Sequence, residues 1–297
     1  MKKILAIAFT LLMIAATFSG CVQKAGKPTF EFTKENYPKM GGSLANLPLG
    51  EAVTATVLGI SREEANSMIV FEGSTTDNYK WLADGRFDII LAYEMSEEAK
   101  AYLEEKNVEI EMTPIGTDAL VFISSLENSV DSLTDEQIRE IYKGNITNWS
   151  EVGGDDHNII PYQRNKDSGS QTLFDKIINL GDELMDAPAD IRIGSMIGLL
   201  EAVADYENSK DALGYTVYYY LTNMEADKLT TSKLLSVDGV APTNETIANG
   251  EYPYTNDFYV IIRKDAPQNS PERILYNWIC SEQGKELAER ENYVVKS

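Results

Sequence analysis

The stretch between residues 162 and 174 carries side chains that suit an anion-binding loop. The guanidinium of Arg164 can donate two parallel hydrogen bonds to an oxyanion. The run Ser168-Gly169-Ser170 follows at the start of a predicted helix, where unpaired backbone N–H groups point outward and the glycine lets a ligand approach closely. The alternative interpretation is a serine N-cap beside a surface arginine. By itself, this stretch leaves both an anion site and a structural cap open.

Two further turns carry small or hydroxyl residues and lead into predicted helices. One turn covers residues 41–48 and includes Ser43. The other covers residues 72–77 and includes Ser74 and Thr75. If both turns converge with the first loop, three helix N-termini would bind a tetrahedral oxyanion through their dipoles and neutral donors. These local donors would have to outweigh the repulsion that an anionic protein exerts on an anion.

The chain is long and acidic. It has 297 residues, with 47 acidic against 26 basic side chains and a formal net charge of -21. This charge argues against a nucleic-acid-binding protein, because phosphate backbones require clustered lysine and arginine. Hydrophobic residues make up 43% of the chain, which is enough to bury the cores of two lobes or domains.

The N-terminus has the features of a secretory signal. Two lysines precede an apolar stretch at residues 4–18, and a pair of small residues leads into Cys21. The tetrapeptide FSGC at residues 18–21 resembles a bacterial lipobox. We therefore expect a signal peptide at residues 1–20 and, at residues 21–27, a tether that a lipid on Cys21 anchors to the membrane. A signal without lipidation and a transmembrane anchor are the alternatives.

The elements that must position these residues alternate between helices and strands, which predicts an α/β fold. We predict helices at residues 47–58, 77–83, 96–105, 134–142, 171–180 and 271–290. We predict strands at residues 67–71, 87–92, 119–124 and 158–162, with strand-like stretches at 235–242 and 257–262.

Several motifs together resemble the phosphate-binding proteins of bacterial phosphate ABC importers. They are IGTDALV at residues 115–121, GNITNWSEVGG at 144–154, Arg164 with SGS at 168–170, LGY at 213–215 and VDGVAPT at 237–243. The resemblance covers nearly the whole chain after the signal. It implies a periplasmic-binding-protein-like fold of type II, with a ligand cleft between two lobes joined by a two-strand hinge. One lobe would comprise residues 28–116 and 239–297, and the other residues 117–238.

The resemblance also implies the residues that hold phosphate. In the second lobe, Arg164 would fork the anion beside the Ser168-Gly169-Ser170 loop. In the first lobe, the implied positions are Ser43, Asn46, Leu47, Ser74 and Thr75. Leu44 and Asn46 depart from the family's usual residues. Glu94 is the candidate for the carboxylate that accepts the phosphate proton and rejects sulfate, although an ungapped alignment puts Tyr93 there.

The implied function is an extracytoplasmic lipoprotein on the outer face of the bacterial membrane. It would capture inorganic phosphate as a monomer, without a cofactor or metal, and deliver it to a permease with ATPase subunits. One alternative is a receptor of the same fold for another oxyanion, or for signalling without transport. A remote alternative is a phosphate-ester hydrolase, which would need a metal pair or an activated nucleophile. His157 is the only histidine and Cys280 fits a buried helix position, so neither supports such chemistry.

Overall fold

The computed structural model describes residues 30–166, 168–204 and 209–295. The predicted signal peptide, the predicted tether and Cys21, the predicted lipidation site, lie outside these residues. The helices are α1 (Leu47–Leu58), α2 (Arg62–Asn66), α3 (Thr75–Ala83), α4 (Glu97–Glu105), α5 (Asp135–Tyr142), α6 (Gly169–Ile178), α7 (Met196–Ala204), α8 (Asn244–Ala248), α9 (Pro271–Ile279) and α10 (Glu282–Arg290). The strands are β1 (Met40–Gly42), β2 (Ile89–Tyr93), β3 (Ile110–Ser125), β4 (Ser132–Leu133), β5 (Ile160–Pro161), β6 (Gln163–Arg164), β7 (Arg192–Ile193), β8 (Ala212–Val217), β9 (Ser232–Leu234), β10 (Ser236–Val237) and β11 (Thr255–Arg263).

A mixed sheet runs through the molecule in the order β1-β2-β11-β3-β8-β5, and β9 also pairs with β3. The β1–β2 and β5–β8 pairs are parallel, and β11 is antiparallel to both β2 and β3. Helices separate most of these strands along the chain. The predicted α/β class is therefore confirmed.

Strand β3 has 16 residues and connects two parts of the sheet. Its first part, Ile110 to Ala119, pairs with β11, and its last part, from Leu120 onward, pairs with β8 and then β9. The sequence predicted only residues 119–124 as a strand. The reason is burial. Residues 120–123 are fully buried and apolar, whereas residues 110–114 are half-exposed or exposed and include polar residues.

The first part of the sheet is buried on both faces. Ile89, Leu91 and Tyr93 of β2 belong to the large core, whereas Ile90 and Ala92 belong to a smaller core formed with α3 and α4. Successive side chains of a strand point to opposite faces, so this alternation places helices on both sides of β2. The same alternation decides which residue at the end of β2 faces the cleft.

Aromatic rings fill the core around the second part of the sheet. The ring of Phe122 in β3 has four aromatic neighbours at centroid distances of 6.0–6.5 Å, namely Tyr142, Phe174, Tyr215 and Tyr254. Rings at this spacing in tilted or edge-on arrangements attract each other beyond simple burial. This cluster fixes α5 and α6 against the sheet.

Among the predicted elements, one strand is absent from the structure and one helix is divided. Residues 67–71 form no strand, and only Val70 makes a bridge to Gly41, because α2 precedes it and its last turn engages the backbone of Ser67. The predicted helix at 271–290 is divided into α9 and α10. A Cβ at Gly284 would lie 2.0 Å from the carbonyl oxygen of Ile279, so the two helices meet at a backbone contact that only glycine permits.

Hydrogen bonds connect residues 239–254 to the lobe that contains β8. Tyr252 Oη donates to the carbonyl of Leu120 at 3.0 Å, and Tyr254 Oη donates to Asp135 in α5 at 2.6 Å. We therefore propose that the chain returns to the first lobe at Thr255, where β11 begins, and not at residue 239. On this division the other crossing lies within β3, between Ala119 and Leu120.

Candidate functional site

A cavity of about 380 Å³ lies between the two lobes. Its first-lobe lining includes Ser43, Leu44, Ala45, Ser74, Thr75 and Tyr93. Its second-lobe lining includes Arg164, Asn165, Ser168, Gly169, Ser170 and Ser195. Most of the predicted anion-binding residues are thus brought together although they lie far apart in the sequence.

Helix N-termini surround this cavity. Ser74 caps α3, accepting a hydrogen bond from the Asp77 N–H at 3.0 Å, and Ser168 caps α6, accepting from the Gln171 N–H at 3.2 Å. Ser43 precedes a single 3-10 turn that leads into α1. The exposed N–H groups and the dipole at each such end favour an anion.

A further helix N-terminus at the cavity, that of α7, was not predicted. Ser195 lies directly before α7, and its Oγ accepts a hydrogen bond from the Gly198 N–H at 3.1 Å. The signal was present in the sequence, because Gly194 and Ser195 precede an apolar run, as small and hydroxyl residues do at the other turns. The local sequence of this turn does not indicate that it reaches the same cavity as the other turns.

Arg164 is held rigidly at the cavity wall and is only 6% exposed. Its Nε donates to the Ile193 carbonyl at 3.0 Å, and Nη2 donates to the Gly194 carbonyl at 3.3 Å. Its Nη1 donates to Ser170 Oγ at 3.2 Å. The parallel pairing of β6 with β7 brings these carbonyls beside the arginine. The guanidinium is therefore positioned before any ligand arrives, which reduces the entropic cost of binding.

Several hydroxyl groups of the cavity are free to donate, although that of Ser74 already donates to Asp77 at 2.8 Å. Ser168, Ser170 and Ser195 each accept a hydrogen bond through Oγ, so each can direct its own hydrogen elsewhere. Ser43 Oγ and Thr75 Oγ1 share one hydrogen bond at 3.0 Å, which leaves one hydroxyl hydrogen of the pair to donate. A donor-rich cavity that contains an arginine can replace part of the hydration shell of an oxyanion.

The two lobes touch where Thr75 meets Gly169. A Cβ built on Gly169 would lie 2.4 Å from Thr75 Oγ1, which is far inside van der Waals contact. Glycine is thus required for this approach of the lobes. A ligand in the cavity can contact both lobes at once.

Glu94 does not line this cavity, which corrects the expectation that it accepts a ligand proton there. It lies in an adjoining groove, and its carboxylate forms an ion pair with Lys176 of α6. The Glu94 side chain is 39% exposed. The preceding residue, Tyr93, lines the cavity instead, as the ungapped alignment suggested. Neighbouring residues at the end of a strand point in opposite directions, so a shift of one position exchanges the two side chains.

Asn46 and Leu47 also lie outside the cavity lining, contrary to expectation. The backbone N–H of Asn46 donates to the Ser43 carbonyl at 2.8 Å, which closes the 3-10 turn and directs its side chain inward. Asn46 is completely buried, and both of its side-chain polar atoms lack a hydrogen-bond partner among the described residues. Leu44 and Ala45 occupy the lining in their place.

The residues considered for other chemistry lie elsewhere. Within the described ranges, no group of three or more histidine, cysteine, aspartate and glutamate side chains is arranged to hold a metal ion. His157 Nδ1 lies 3.9 Å from Asp211 Oδ1, away from the cavity. Cys280 is half-buried at the end of α9, where burial raises its thiol pKa to about 11. The helices of the described residues include none that is long and apolar enough to span a bilayer.

Comparisons with known proteins agree with this architecture. The phosphate-binding protein PstS of Bacillus subtilis (strain 168) is 27% identical over 259 residues, which cover 85% of this chain and 80% of that protein. PstS of Borreliella burgdorferi is also 27% identical, over 187 residues that cover 61% of this chain and less than two thirds, 64%, of the relative. Among solved structures, the protein proposed as a phosphate ABC transporter substrate-binding protein of Clostridium perfringens, with bound phosphate, superposes with a TM-score of 0.70. That match is 23% identical and covers 88% of this chain and 100% of the other.

A family model described as the PBP superfamily domain matches residues 50–283, which is well over half of the chain. The matched region includes α3, β2, the crossing strands and the Arg164 loop. The chain therefore belongs to the PBP superfamily.

Proposed function

We propose that this chain is an extracytoplasmic solute-binding protein that captures inorganic phosphate and delivers it to an ABC importer. The observation that carries the proposal is the convergence of Arg164 with several helix N-termini on one cavity between two lobes. The names of the PstS relatives and of the phosphate-bound structural neighbour support phosphate as the ligand.

Binding relies on short-range donors. At a formal net charge of -21, the protein repels an approaching anion at long range. Inside the cavity, Arg164 and the hydroxyl donors of Ser168 and Ser170 are buried side chains, and hydrogen bonds to a charged ligand are strong there. A phosphate that contacts both lobes stabilises the closed arrangement relative to the open one, so closure follows from a shift in population.

The proposed anchoring and partners follow from the N-terminus and from the task. A lipid on Cys21 holds the protein at the outer face of the membrane through the tether at residues 21–27. There, the closed, loaded form presents phosphate to a permease driven by ATPase subunits. Binding and release complete the cycle, and no covalent step is involved.

The test is calorimetric titration of the chain from Gln23 onward, freed of bound ligand by partial unfolding and refolding. We expect one phosphate to bind per chain, and we expect Arg164→Ala to weaken binding by about 2 to 4 kcal/mol, because it removes charge-assisted hydrogen bonds. Arg86→Ala is the control, since Arg86 pairs with Glu72 on the surface. Absence of phosphate binding, or equal affinity in the two variants, would refute the proposal.

Another oxyanion is the second candidate ligand, because the predicted acceptor Glu94 lies outside the cavity. Sulfate and molybdate belong in the same titration series. Binding heat with one of these ions and none with phosphate would identify that ion as the ligand and would leave the proposed anion site in place.

A further inference from the structure

The side chain of Gln171 connects the two parts of the anion site in the second lobe. Gln171 lies in the first turn of α6, and its backbone N–H donates to the capping residue Ser168. It is 2% exposed and lines neither the cavity nor the adjoining groove. Its Oε1 accepts a hydrogen bond from the backbone N–H of Arg164 at 3.0 Å. The amide therefore joins the start of α6 to the backbone of the residue that carries the guanidinium.

This contact holds the backbone end of Arg164. Strands β6 and β7 have two residues each, so their pairing provides little backbone support. The Arg164 N–H is shared between Gln171 Oε1 and Tyr215 Oη, each at 3.0 Å. The guanidinium bonds fix the far end of the side chain, and these two bonds fix its near end. The distance between Arg164 and the loop at residues 168–170 therefore depends on Gln171.

Asp175 determines which way the Gln171 amide points. Its Oδ1 accepts a hydrogen bond from Gln171 Nε2 at 2.8 Å, one turn further along α6. The backbone N–H of Arg164 can only donate and an ionised carboxylate can only accept, so a reversed amide would oppose donor to donor and acceptor to acceptor. Tyr215 Oη also donates to Gln171 Oε1. All three neighbours therefore require the same orientation of the amide.

We propose that Gln171 is a positioning residue for anion binding, which holds Arg164 at the distance from the loop at residues 168–170 at which both contact one ligand. This inference rests on the proposed phosphate function, because phosphate is the anion that tests it. Gln171 acts through Arg164 and not by contact with the ligand. The loss of one charge-assisted hydrogen bond through misalignment corresponds to roughly 10- to 150-fold in affinity.

The experiment measures phosphate affinity by calorimetry at pH 5.5 and pH 8.5 on the chain from Gln23 onward, and compares each variant with the parent protein at the same pH. In Gln171→Glu, a carboxyl group faces Asp175. A proton shared between the two carboxyl groups replaces the Nε2 hydrogen at pH 5.5, and its loss by pH 8.5 leaves two like charges in contact. The variant-to-parent affinity ratio should therefore fall by roughly 10- to 150-fold between the two pH values.

The surroundings of this carboxyl pair favour a shared proton. Partial burial raises the pKa of Asp175, and the hydrogen bond from Gln171 and the charge of Lys166 oppose that rise. Replacing the amide with a second carboxyl group removes one of these opposing contributions. Among the described residues, the other charged or titratable groups lie in the groove or beside the core, namely Glu94, Glu97, Glu98, Lys166 and Lys176 in the groove and Arg164, Tyr142 and Tyr215 beside the core. Their effects are common to the parent protein and cancel in the ratio.

Three comparisons separate positioning from a general structural effect. Gln137→Glu is the matched control, because it adds the same charge at the cap of α5 in the same lobe, and its ratio should not change with pH. Adding Asp175→Asn to Gln171→Glu supplies an amide donor to the new carboxylate and should remove the pH dependence. In an Arg164→Ala background, Gln171→Glu should cost no further affinity at pH 8.5, whereas a general loss of structure would.

Urea unfolding of the ligand-free protein identifies any variant that does not fold at pH 8.5. Should Gln171→Glu be one, Gln171→Met decides the question, since it removes Oε1 at every pH and should weaken phosphate binding only when Arg164 is present. A ratio that does not change with pH in a folded Gln171→Glu variant, or an equal loss in the Arg164→Ala background, would overturn the inference while the phosphate function stands. A parent protein that binds no phosphate would overturn both proposals.

Discussion

Replacing Gly169 with alanine would hold the two lobes apart at the point where both reach the ligand. The added methyl group would lie 2.4 Å from Thr75 Oγ1, whereas ordinary contact begins at 3.4 Å. The difference requires the lobes to separate locally by about 1 Å, because carbon and oxygen repel steeply inside van der Waals contact. The Thr75 hydroxyl is also hydrogen-bonded to Ser43, which opposes its rotation out of the way.

A separation of about 1 Å exceeds the tolerance of a hydrogen bond, whose donor and acceptor lie within about 2.7–3.2 Å. The ligand would keep its contacts to one lobe and lose one or two charge-assisted bonds to the other, each worth about 1.5–3 kcal/mol. We therefore expect phosphate affinity to fall by about 2 to 4 kcal/mol, or roughly 30- to 1,000-fold. The free energy of unfolding should not fall, since Gly169 begins α6 and alanine favours a helix by up to about 1 kcal/mol over glycine.

The assay is calorimetric titration with phosphate, together with chemical denaturation of the ligand-free protein. Gly194→Ala is the matched control, because Gly194 also lines the cavity but a Cβ there would meet only Asn165 Nδ2, at 3.8 Å. Adding Thr75→Ala should reduce the cost of the Gly169 substitution in a double-mutant cycle. Unchanged affinity in Gly169→Ala, or equal losses in both glycine variants, would refute the reasoning.

Three further predictions concern single groups. Glu94→Gln should leave the phosphate-to-sulfate ratio unchanged and weaken binding by less than about 1 kcal/mol, since its ion pair with Lys176 is partly exposed; a changed ratio would restore Glu94 as the acceptor. Iodoacetamide should label Cys280 slowly at pH 8 in the folded protein and rapidly in urea, because burial raises its pKa to about 11; rapid labelling of the folded protein would contradict this. The hydrogen bond from Arg139 lowers the pKa of Asp135. The stability that ionised Asp135 contributes to the fold is therefore complete above the unfolded pKa of about 3.9, and it is lost as the pH falls through the folded pKa. Between pH 5 and pH 3, the free energy of unfolding in urea should therefore fall less for Asp135→Asn than for the parent protein. Equal losses would exclude a contribution from the Asp135–Arg139 pair.

Local sequence signals predicted the helices well. Helix α1 has the predicted bounds, and α4 and α5 begin one residue after the predicted start, behind the side-chain caps Ser96 and Thr134. Caps and helical apolar spacing act within about four residues, so the chain specifies them without reference to the rest of the fold. Helices α2 and α8, with five residues each, are too short for such spacing and were not predicted, and the nine-residue α7 was not predicted either.

Strands depended on distant partners. The first part of β3 carries a mixed pattern that gives no strand signal, and it becomes a strand because β11, more than 130 residues later, pairs with it. The break between α9 and α10 likewise depends on the packing of Gly284 against Ile279. Such pairings join residues that are far apart in the chain, and the local sequence around one partner does not indicate where the other lies.

The sequence alone indicated the candidate anion-binding components, since Arg164 and the serines Ser43, Ser74 and Ser168 are recognisable from their types and their positions before helices. Only the tertiary structure decided which of these components meet and what faces the ligand. It brought Ser195 to the cavity, and it placed Tyr93 there in place of Glu94. The physical reason is that a cap is satisfied within one helical turn, whereas the face that a strand residue presents depends on the register of β2 with β1 and β11.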